Sequence, residues 1–147
     1  MDVSEAIDTR IEVRSYRDEA VDGETRREIL DAGRLAPSGR TLQHWRFVLV
    51  ADDDFGVVVC TDPTYDYHET DAGRAVTHMQ LAAWEAGVGS CLYTVDDPRA
   101  REFLELPEDY DLTLVAAFGY PEEEVREIKD RKHASHVRSK QYARDRI

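Results

Sequence analysis

The sequence is poor in cysteine and contains no long apolar run. Its two cysteines, Cys60 and Cys91, lie far apart and form none of the spacings typical of metal or redox sites. We therefore expect two buried thiols in the reducing environment of a cytoplasm. No segment approaches the roughly 18 consecutive apolar residues that cross a membrane, and the acidic residues 1–5 do not resemble a signal peptide. The sequence predicts a cytoplasmic protein without a membrane partner.

Lysine is also scarce. Three lysines are found among 19 Lys and Arg residues, against 31 Asp and Glu, and the net charge is −12. An acidic, lysine-poor surface is typical of a salt-rich cytoplasm, where salt screens self-repulsion, so we expect a halophilic protein.

The charge is unevenly distributed along the chain. Residues 126–147 carry eight cations and three acids, a net charge of +5, on an otherwise acidic chain. Such a tail could bind an anionic cofactor, an acidic partner subunit or nucleic acid. Nucleic acid is disfavoured because no aromatic residue except Tyr142 is interleaved with the cations.

The 147 residues contain no repeat or linker and predict one domain. Helices are expected over residues 3–9, over 22–36 with Asp22 as the cap and Pro37 as the stop, and from Asp71 to about Ala86. Strands are expected over 45–51, 56–61, 90–95 and 112–119, the first two mostly buried. Asp97 caps a short helix between the last two strands. This pattern predicts an α+β fold in which helices flank a sheet of about four strands.

The helix from Asp71 carries two apolar faces, which predicts burial on both sides. One face consists of Ala72, Val76, Met79, Ala83 and Ala86, and the other of Leu81, Trp84 and Val88. Because a chain of this length has a small core, we expect the second face in a subunit interface.

Three segments have the composition of binding sites. Residues 14–17, RSYR, place two guanidiniums and a hydroxyl together, a combination that suits phosphate, although a surface cation pair is the commoner explanation. Residues 36–45 form a polar loop that could bind a planar polar ligand or simply join a helix to a strand. Residues 87–91, GVGSC, follow a helix and lack the third glycine of a dinucleotide fingerprint, and Gly87 suits a helix C-terminus.

Neither the acidic triplet nor the histidines predict a metal site. Asp52–Asp54 lack a further ligand, and His133 and His136 lack a third one. His68 is expected in a surface loop, where it could line an open active site.

Taken in order, RSYR at 14–17, the loop 36–45, DAGRA at 71–75, GVGSC at 87–91, GYP at 119–121 and KDR at 129–131 resemble the FMN-dependent nitroreductase family. The match spans nearly the whole chain. The resemblance implies an α/β/α sandwich with a central, mostly antiparallel sheet, an intertwined homodimer and FMN at the subunit interface. The tail over about 122–147 is then expected to wrap the partner subunit.

The resemblance also implies a set of cofactor-binding residues. They are Arg14, Ser15, Arg17, Pro37, Ser38, Gly39, Gln43, Thr94, Val95, Lys129 and Arg131. Arg14, Ser15 and Arg17 would face the phosphate, the ribityl chain and the pyrimidine edge, and Arg17 would stabilise negative charge at N1/O2. Lys129 and Arg131 would contact the phosphate, and residues 37–39 would reach the flavin of the partner. The backbone amides of Thr94 and Val95 would lie near the N5/O4 edge.

The sequence departs from the family pattern at three places. Val13 stands where the family commonly has another arginine, and Thr41 and His44 replace the usual Asn and Pro of the loop. Residues 52–55 alone separate two predicted strands that the family joins through a long helical insertion.

The implied function is an oxidoreductase that moves hydride from NADH or NADPH through FMN to an electron-poor acceptor, such as a nitroaromatic or a quinone. The flavin carries this chemistry, so no protein nucleophile or essential general acid is expected. The alternative is a flavin-binding or sensing protein of the same fold without significant turnover.

Overall fold

The computed structural model describes residues 1–51, 55–95 and 97–122. Four helices are present in these ranges, namely α1 (Val3–Thr9), α2 (Gly23–Arg34), α3 (His68–Glu85) and α4 (Pro98–Phe103). Four strands accompany them, namely β1 (Trp45–Ala51), β2 (Phe55–Thr61), β3 (Gly89–Tyr93) and β4 (Asp111–Gly119). A short 3-10 turn, Gly39–Thr41, lies between α2 and β1.

The strands form one sheet in the order β1-β2-β4-β3, and every neighbouring pair is antiparallel. The central strand β2 is almost fully buried, as its run of β-branched residues predicts. The α+β class and the number of strands expected from the sequence are confirmed.

The core lies between the sheet and α3. This helix contacts all four strands, while α1 and α2 pack on α3. The predicted apolar face is buried at Ala72, Val76, Met79 and Ala83, where it meets strand residues such as Phe55 and Phe118. The two phenylalanine rings lie 5.1 Å apart. Fully burying a side chain of this size stabilises the fold by about 1.5–3 kcal/mol.

The second apolar face of α3 is partly covered within the same chain. Trp84 donates a hydrogen bond from Nε1 to Thr9 Oγ1 at 2.9 Å, which fixes α1 against α3. Leu81 and Trp84 are half-buried and Val88 is fully buried, whereas Ala86 is exposed and does not extend the buried face. A subunit interface along α3 stays a prediction.

The prediction that β1 is mostly buried is wrong. Leu49 and Val50 are 45% and 40% exposed, because β1 is an edge strand that pairs with β2 on one side. Two boundaries also shift, since α3 begins at His68 rather than Asp71, and β3 ends at Tyr93. The described residues do not include the acidic triplet at 52–54 or anything from residue 123 onward. The basic tail, with Lys129, Arg131 and the histidine pair at 133 and 136, therefore lies outside them.

The predicted caps of α2 and α4 and the end of α3 near Gly87 are confirmed, whereas α2 ends at Arg34, before the predicted Ala36. Asp22 Oδ1 accepts hydrogen bonds from the amides of Glu24 and Thr25 at 2.9 and 3.0 Å, and Asp97 caps α4 in the same way. Gly87 follows α3 with φ of 76°. Val88 then donates its amide to the Ala83 carbonyl at 2.8 Å, which closes the helix.

We expect opposite results when alanine replaces the two glycines at 73 and 87. An added methyl meets no atom within 4 Å at either position, so packing does not distinguish them. Gly73 lies inside α3, and Gly73→Ala should raise the free energy of unfolding by about 0.5–1 kcal/mol. Gly87→Ala should lower it by about 1–2 kcal/mol, because alanine disfavours a left-handed φ. Denaturant melts of both variants in molar KCl measure the difference, and equal shifts would contradict it.

Both cysteines are free and buried, as predicted. Burial raises the pKa of the Cys60 thiol, which keeps it in its unreactive neutral form. Across the described ranges, we find no helix with the length and apolar character needed to cross a membrane.

Candidate functional site

The RSYR segment, residues 14–17, follows directly on residues 12 and 13, which are attached to the free edge of β3. Glu12 forms a parallel bridge with Ser90, and the Val13 amide donates to the Ser90 carbonyl at 2.9 Å. Glu12 Oε2 accepts from the Leu92 amide at 2.9 Å, and Oε1 accepts from Arg10 at 2.7 Å. Burial raises the pKa of Glu12, but the bonds from Arg10 and Leu92 outweigh it and lower the pKa overall. Glu12 therefore holds the strand edge as a carboxylate.

The far end of the RSYR segment is fixed to the end of β4. Tyr16 forms an antiparallel bridge with Pro121, and the Arg17 amide donates to the Tyr120 carbonyl at 2.8 Å. The Tyr16 hydroxyl donates to the Val13 carbonyl at 2.6 Å, and burial raises the pKa of this phenol far above its ordinary value. Tyr16 packs so closely on Gly119 that a Cβ there would lie 2.8 Å from Tyr16 Cγ.

This attachment leaves three polar side chains in solvent. Arg14, Ser15 and Arg17 are all exposed. In the described part of the chain, the side chains of Arg14 and Ser15 have no hydrogen-bond or ion-pair partner. Arg17 pairs with Glu19 at 3.2 Å, and its guanidinium lies 5.3 Å from the centre of the Tyr120 ring. Two guanidiniums and a hydroxyl on one fixed segment are a donor set suited to a phosphate.

The two predicted amide donors continue from the other end of β3. Thr94 and Val95 are exposed, and neither amide donates a hydrogen bond to another described residue. A hydrogen bond with Cys91 and burial raise the pKa of the preceding Tyr93, while the charge of Arg14 opposes this rise. The charge of Arg14 therefore acts on Tyr93, the last residue of β3.

The loop between α2 and β1 has an unusual backbone. Arg40, Thr41 and Gln43 have φ values of 53°, 58° and 46°. A left-handed conformation costs a non-glycine residue about 1–2 kcal/mol, and such costs concentrate at functional sites. Other contacts must therefore hold this loop in place.

Asp71 of α3 supplies the main tie. Its carboxylate is 1% exposed; Oδ2 accepts from the Gly39 amide at 2.8 Å, and Oδ1 lies 3.4 Å from Arg74 Nη1. The sequence analysis did not predict that Asp71 holds this loop. The sequence does carry a signal for such a role, because Asp71 is an acidic residue on the apolar side of a helix, next to Ala72 and Ala75.

The predicted loop residues divide between surface and support. Pro37 is exposed, and Ser38 and Gly39 are half-buried. Ser38 Oγ accepts from the Gln43 amide at 3.0 Å, and Gln43 Nε2 donates to the Arg34 carbonyl at 2.9 Å. The Gln43 side chain therefore holds the end of α2 through its amide nitrogen.

Two clefts flank the start of α3. The first, of about 370 Å³, lies between Gly39, Arg40, Leu42 and the turn at 64–67. The second, of about 350 Å³ and called the His68 cleft below, lies between His68, Val95, Arg101 and the start of β4. Both volumes fall in the range of small-molecule sites, roughly 300–1,000 Å³. The prediction that His68 lies in a surface loop is wrong, because it is the first residue of α3, but it does line a cleft.

Two departures from the family pattern have structural explanations. Val13 is buried, and its side chain occupies the space where a Cβ on Gly89 would lie, so residue 13 faces the interior. The His44 ring is 7% exposed and stacks on Tyr65 with ring centres 4.8 Å apart. Neither ring nitrogen of His44 has a partner within the described ranges.

The arrangement fits a ligand that joins a phosphate to a planar polar ring, as FMN does. Exposed guanidiniums and a hydroxyl are available for the phosphate, and two unpaired amides lie at the end of β3 for the polar edge of the ring. The predicted contacts of Lys129 and Arg131 lie outside the described residues.

Comparison with known proteins gives consistent matches. The profile of the Nitroreductase family matches residues 7–56 and 58–120. A protein of Archaeoglobus fulgidus, provisionally named an NADH dehydrogenase/NAD(P)H nitroreductase, is 33% identical over 79% of this chain and 83% of its own. An FMN-dependent nitroreductase of Clostridium difficile superposes with a TM-score of 0.86 at 26% identity, over 95% of this chain and 100% of that one. A nitroreductase of Bacteroides fragilis with bound FMN shares the fold, with a TM-score of 0.84 at 24% identity over 96% and 100% of the two chains.

Proposed function

Because the chain belongs to the nitroreductase family, we propose that it binds FMN and uses it to move hydride from NAD(P)H to an electron-poor acceptor. The observation that carries this proposal is the exposed set of Arg14, Ser15 and Arg17 on a segment attached to β3, together with the unpaired amides of Thr94 and Val95 that follow the same strand. The bound FMN of the Bacteroides fragilis protein, and the names of the relatives as NAD(P)H nitroreductases, support the choice of cofactor and reductant.

Each end of this set has a proposed role. Arg14 and Ser15 bind the phosphate, aided by Lys129 and Arg131 of the tail. Arg17 places positive charge beside N1/O2, and its ion pair with Glu19 at 3.2 Å is exposed, so exchange of that partner costs little. The amides of Thr94 and Val95 donate to the N5/O4 edge.

When bound, FMN supplies the hydride transfer itself. The chain orients the ring, supplies donors at both of its polar edges and leaves an open cleft for the second substrate. The acceptor is a nitroaromatic or a quinone in this proposal.

We also propose a homodimer in which α3 and the C-terminal tail form the interface. Apolar surface remains where α1 packs on the end of α3. It comes from the half-buried Leu81 and Trp84 of α3 and from the exposed Val3 and Ile7 of α1. In this arrangement Pro37, Ser38 and Gly39 contact the flavin of the partner subunit.

An absorbance spectrum of the full chain, purified in molar KCl, tests the function. We expect flavin bands close to one FMN per chain, which bleach when NADH or NADPH is added without oxygen and recover when a nitroaromatic or a quinone follows. The high salt is needed because the net charge of −12 destabilises the fold when it is not screened.

The other outcomes separate the alternatives. Tightly bound FMN that is reduced by neither NADH nor NADPH would indicate a flavin-binding or sensing protein without turnover. A folded, colourless protein that takes up no added FMN would reject the proposal.

A further inference from the structure

The start of α3 carries a hydrogen-bonded chain of three side chains. His68 Nδ1 lies 2.8 Å from Thr61 Oγ1, which lies 2.7 Å from Thr113 Oγ1. Thr113 Oγ1 lies 3.4 Å from the Asp111 carbonyl. Thr61 is completely buried, while His68 and Thr113 line the His68 cleft. A buried hydroxyl placed against one ring nitrogen fixes the orientation of the imidazole.

The two hydroxyls satisfy either protonation state of His68 without movement of a heavy atom. With neutral His68, Thr113 donates to Thr61 and Thr61 donates to Nδ1, so the ring proton is on Nε2. With charged His68, Nδ1 donates to Thr61, Thr61 to Thr113, and Thr113 to the Asp111 carbonyl. His68 Nε2 is a donor in both states.

The charges around the cleft favour a neutral ligand. Glu69 of α3, Asp97 of α4 and Asp111 of β4 line the cleft, with Arg101 as a cation. Arg101 is already engaged with the carbonyls of Tyr110 and Pro107. Asp62 at the end of β2 is a fourth nearby carboxylate; its pKa is lowered by hydrogen bonds from Thr64 and further by the charges of His44 and His68.

From this geometry we propose that His68 donates a hydrogen bond, and then a proton, to the carbonyl oxygen of a neutral quinone in the His68 cleft, with Thr61 and Thr113 as its positioning residues. The proposal rests on the proposed function, because Val95, the predicted neighbour of the reacting edge of FMN, lines the same cleft.

The reaction balances with one proton from His68. The quinone takes the hydride supplied by the proposed function, that is, two electrons and one proton, and becomes a hydroquinone anion. The proton from His68 Nε2 converts the phenolate oxygen to a hydroxyl. His68 is left neutral with its remaining proton on Nδ1, which donates to Thr61, and Nε2 then regains a proton from water. A nitro group consumes the same hydride and one proton, but it must also break an N–O bond and release water. A quinone needs no such cleavage, so one fixed proton donor completes its reduction.

Binding of chromone, a ring ketone that is not a quinone, tests the site without turnover. By calorimetry on the full chain, we expect His68→Gln and Thr61→Val to weaken chromone binding roughly three- to tenfold, the effect of one hydrogen bond. Thr61→Ser, which keeps the hydroxyl, should bind as the unchanged protein does. His78→Gln, at an exposed position on the same helix, is the matched control.

The oxidation of the reduced protein by a quinone gives a second readout. We expect its rate to fall as pH rises through the range in which histidine loses its proton, and this dependence should disappear in His68→Gln. At pH 7, quinone should oxidise the reduced His68→Gln variant about tenfold more slowly than the unchanged protein, and reduction of the variant by NAD(P)H should not change. The loss is limited because water in the open cleft partly replaces the missing donor.

Either of two results would overturn the inference. They are the absence of chromone binding, or equal binding of chromone by His68→Gln and the unchanged protein. Failure to bind FMN or to oxidise NAD(P)H would reject the proposed function instead, while the chromone measurements would still decide the role of His68.

Discussion

Asp71→Ala should reduce the affinity for FMN by roughly ten- to hundredfold. The carboxylate is 1% exposed and accepts the Gly39 amide at 2.8 Å, which joins α3 to the loop at 37–43. A hydrogen bond to a charged group contributes about 1.5–3 kcal/mol, and three left-handed residues in this loop depend on such ties. Without the bond the loop relaxes and no longer presents Ser38 and Gly39 to the flavin. FMN titration followed by flavin fluorescence measures the change.

Two further variants make this test specific. Glu85→Ala removes an exposed carboxylate from the other end of α3 and should leave FMN affinity unchanged. Asp71→Asn keeps one oxygen for the Gly39 amide and should give an intermediate loss. An Asp71→Ala protein that is folded and binds FMN at full affinity would show that the loop does not contribute to the site.

Gly119→Ala should both destabilise the fold and weaken FMN binding. The new methyl would lie 2.8 Å from Tyr16 Cγ and 2.9 Å from Tyr16 Cβ, atoms close to the backbone that cannot rotate away. Overpacking of this kind costs about 1–3 kcal/mol. Because Tyr16 lies between Ser15 and Arg17, its displacement also moves the proposed phosphate donors. Denaturant melts and FMN titration of the same preparation measure both effects.

Gly56→Ala is the matched control, since Gly56 also lies in a central strand. A methyl there would lie 3.7 Å from the nearest atom, the Val50 carbonyl oxygen, which is an ordinary contact. We expect an unchanged or slightly increased stability, by up to about 1 kcal/mol, and full FMN binding. Similar behaviour of the two alanine variants would mean that the contact between Tyr16 and Gly119 does not set the geometry of the RSYR segment.

Features set by local chemistry could be predicted from the sequence. The caps of α2 and α4 and the end of α3 follow from Asp22, Asp97 and Gly87, whose side chains or φ act within a few residues. The number of strands follows from runs of β-branched residues. The order of the sheet does not, because it depends on pairings between distant segments, and for this reason the exposure of β1 was missed.

The candidate site shows the same division. The order of its motifs was sufficient to predict the family and the fold, which the comparisons confirm. The contacts of Asp71 with Gly39, and of Thr61 with His68 and Thr113, were missed because each joins residues from different elements. The proposed flavin contacts of Arg14, Ser15 and Arg17 stay predictions.

The carboxylate of Glu12 has a consequence for how the edge of β3 resists the addition of another strand. An exposed strand edge is a template on which another extended chain can add, and proteins commonly block such edges. At β3, the Leu92 amide donates to the Glu12 side chain rather than to a neighbouring strand, and the Ser90 carbonyl accepts from the Val13 amide. A peptide arriving at this edge would find its first positions already filled, so no continuous ladder can extend along β3. The remaining unpaired stretch, at Thr94 and Val95, is long enough for a small molecule and too short to nucleate an aggregate.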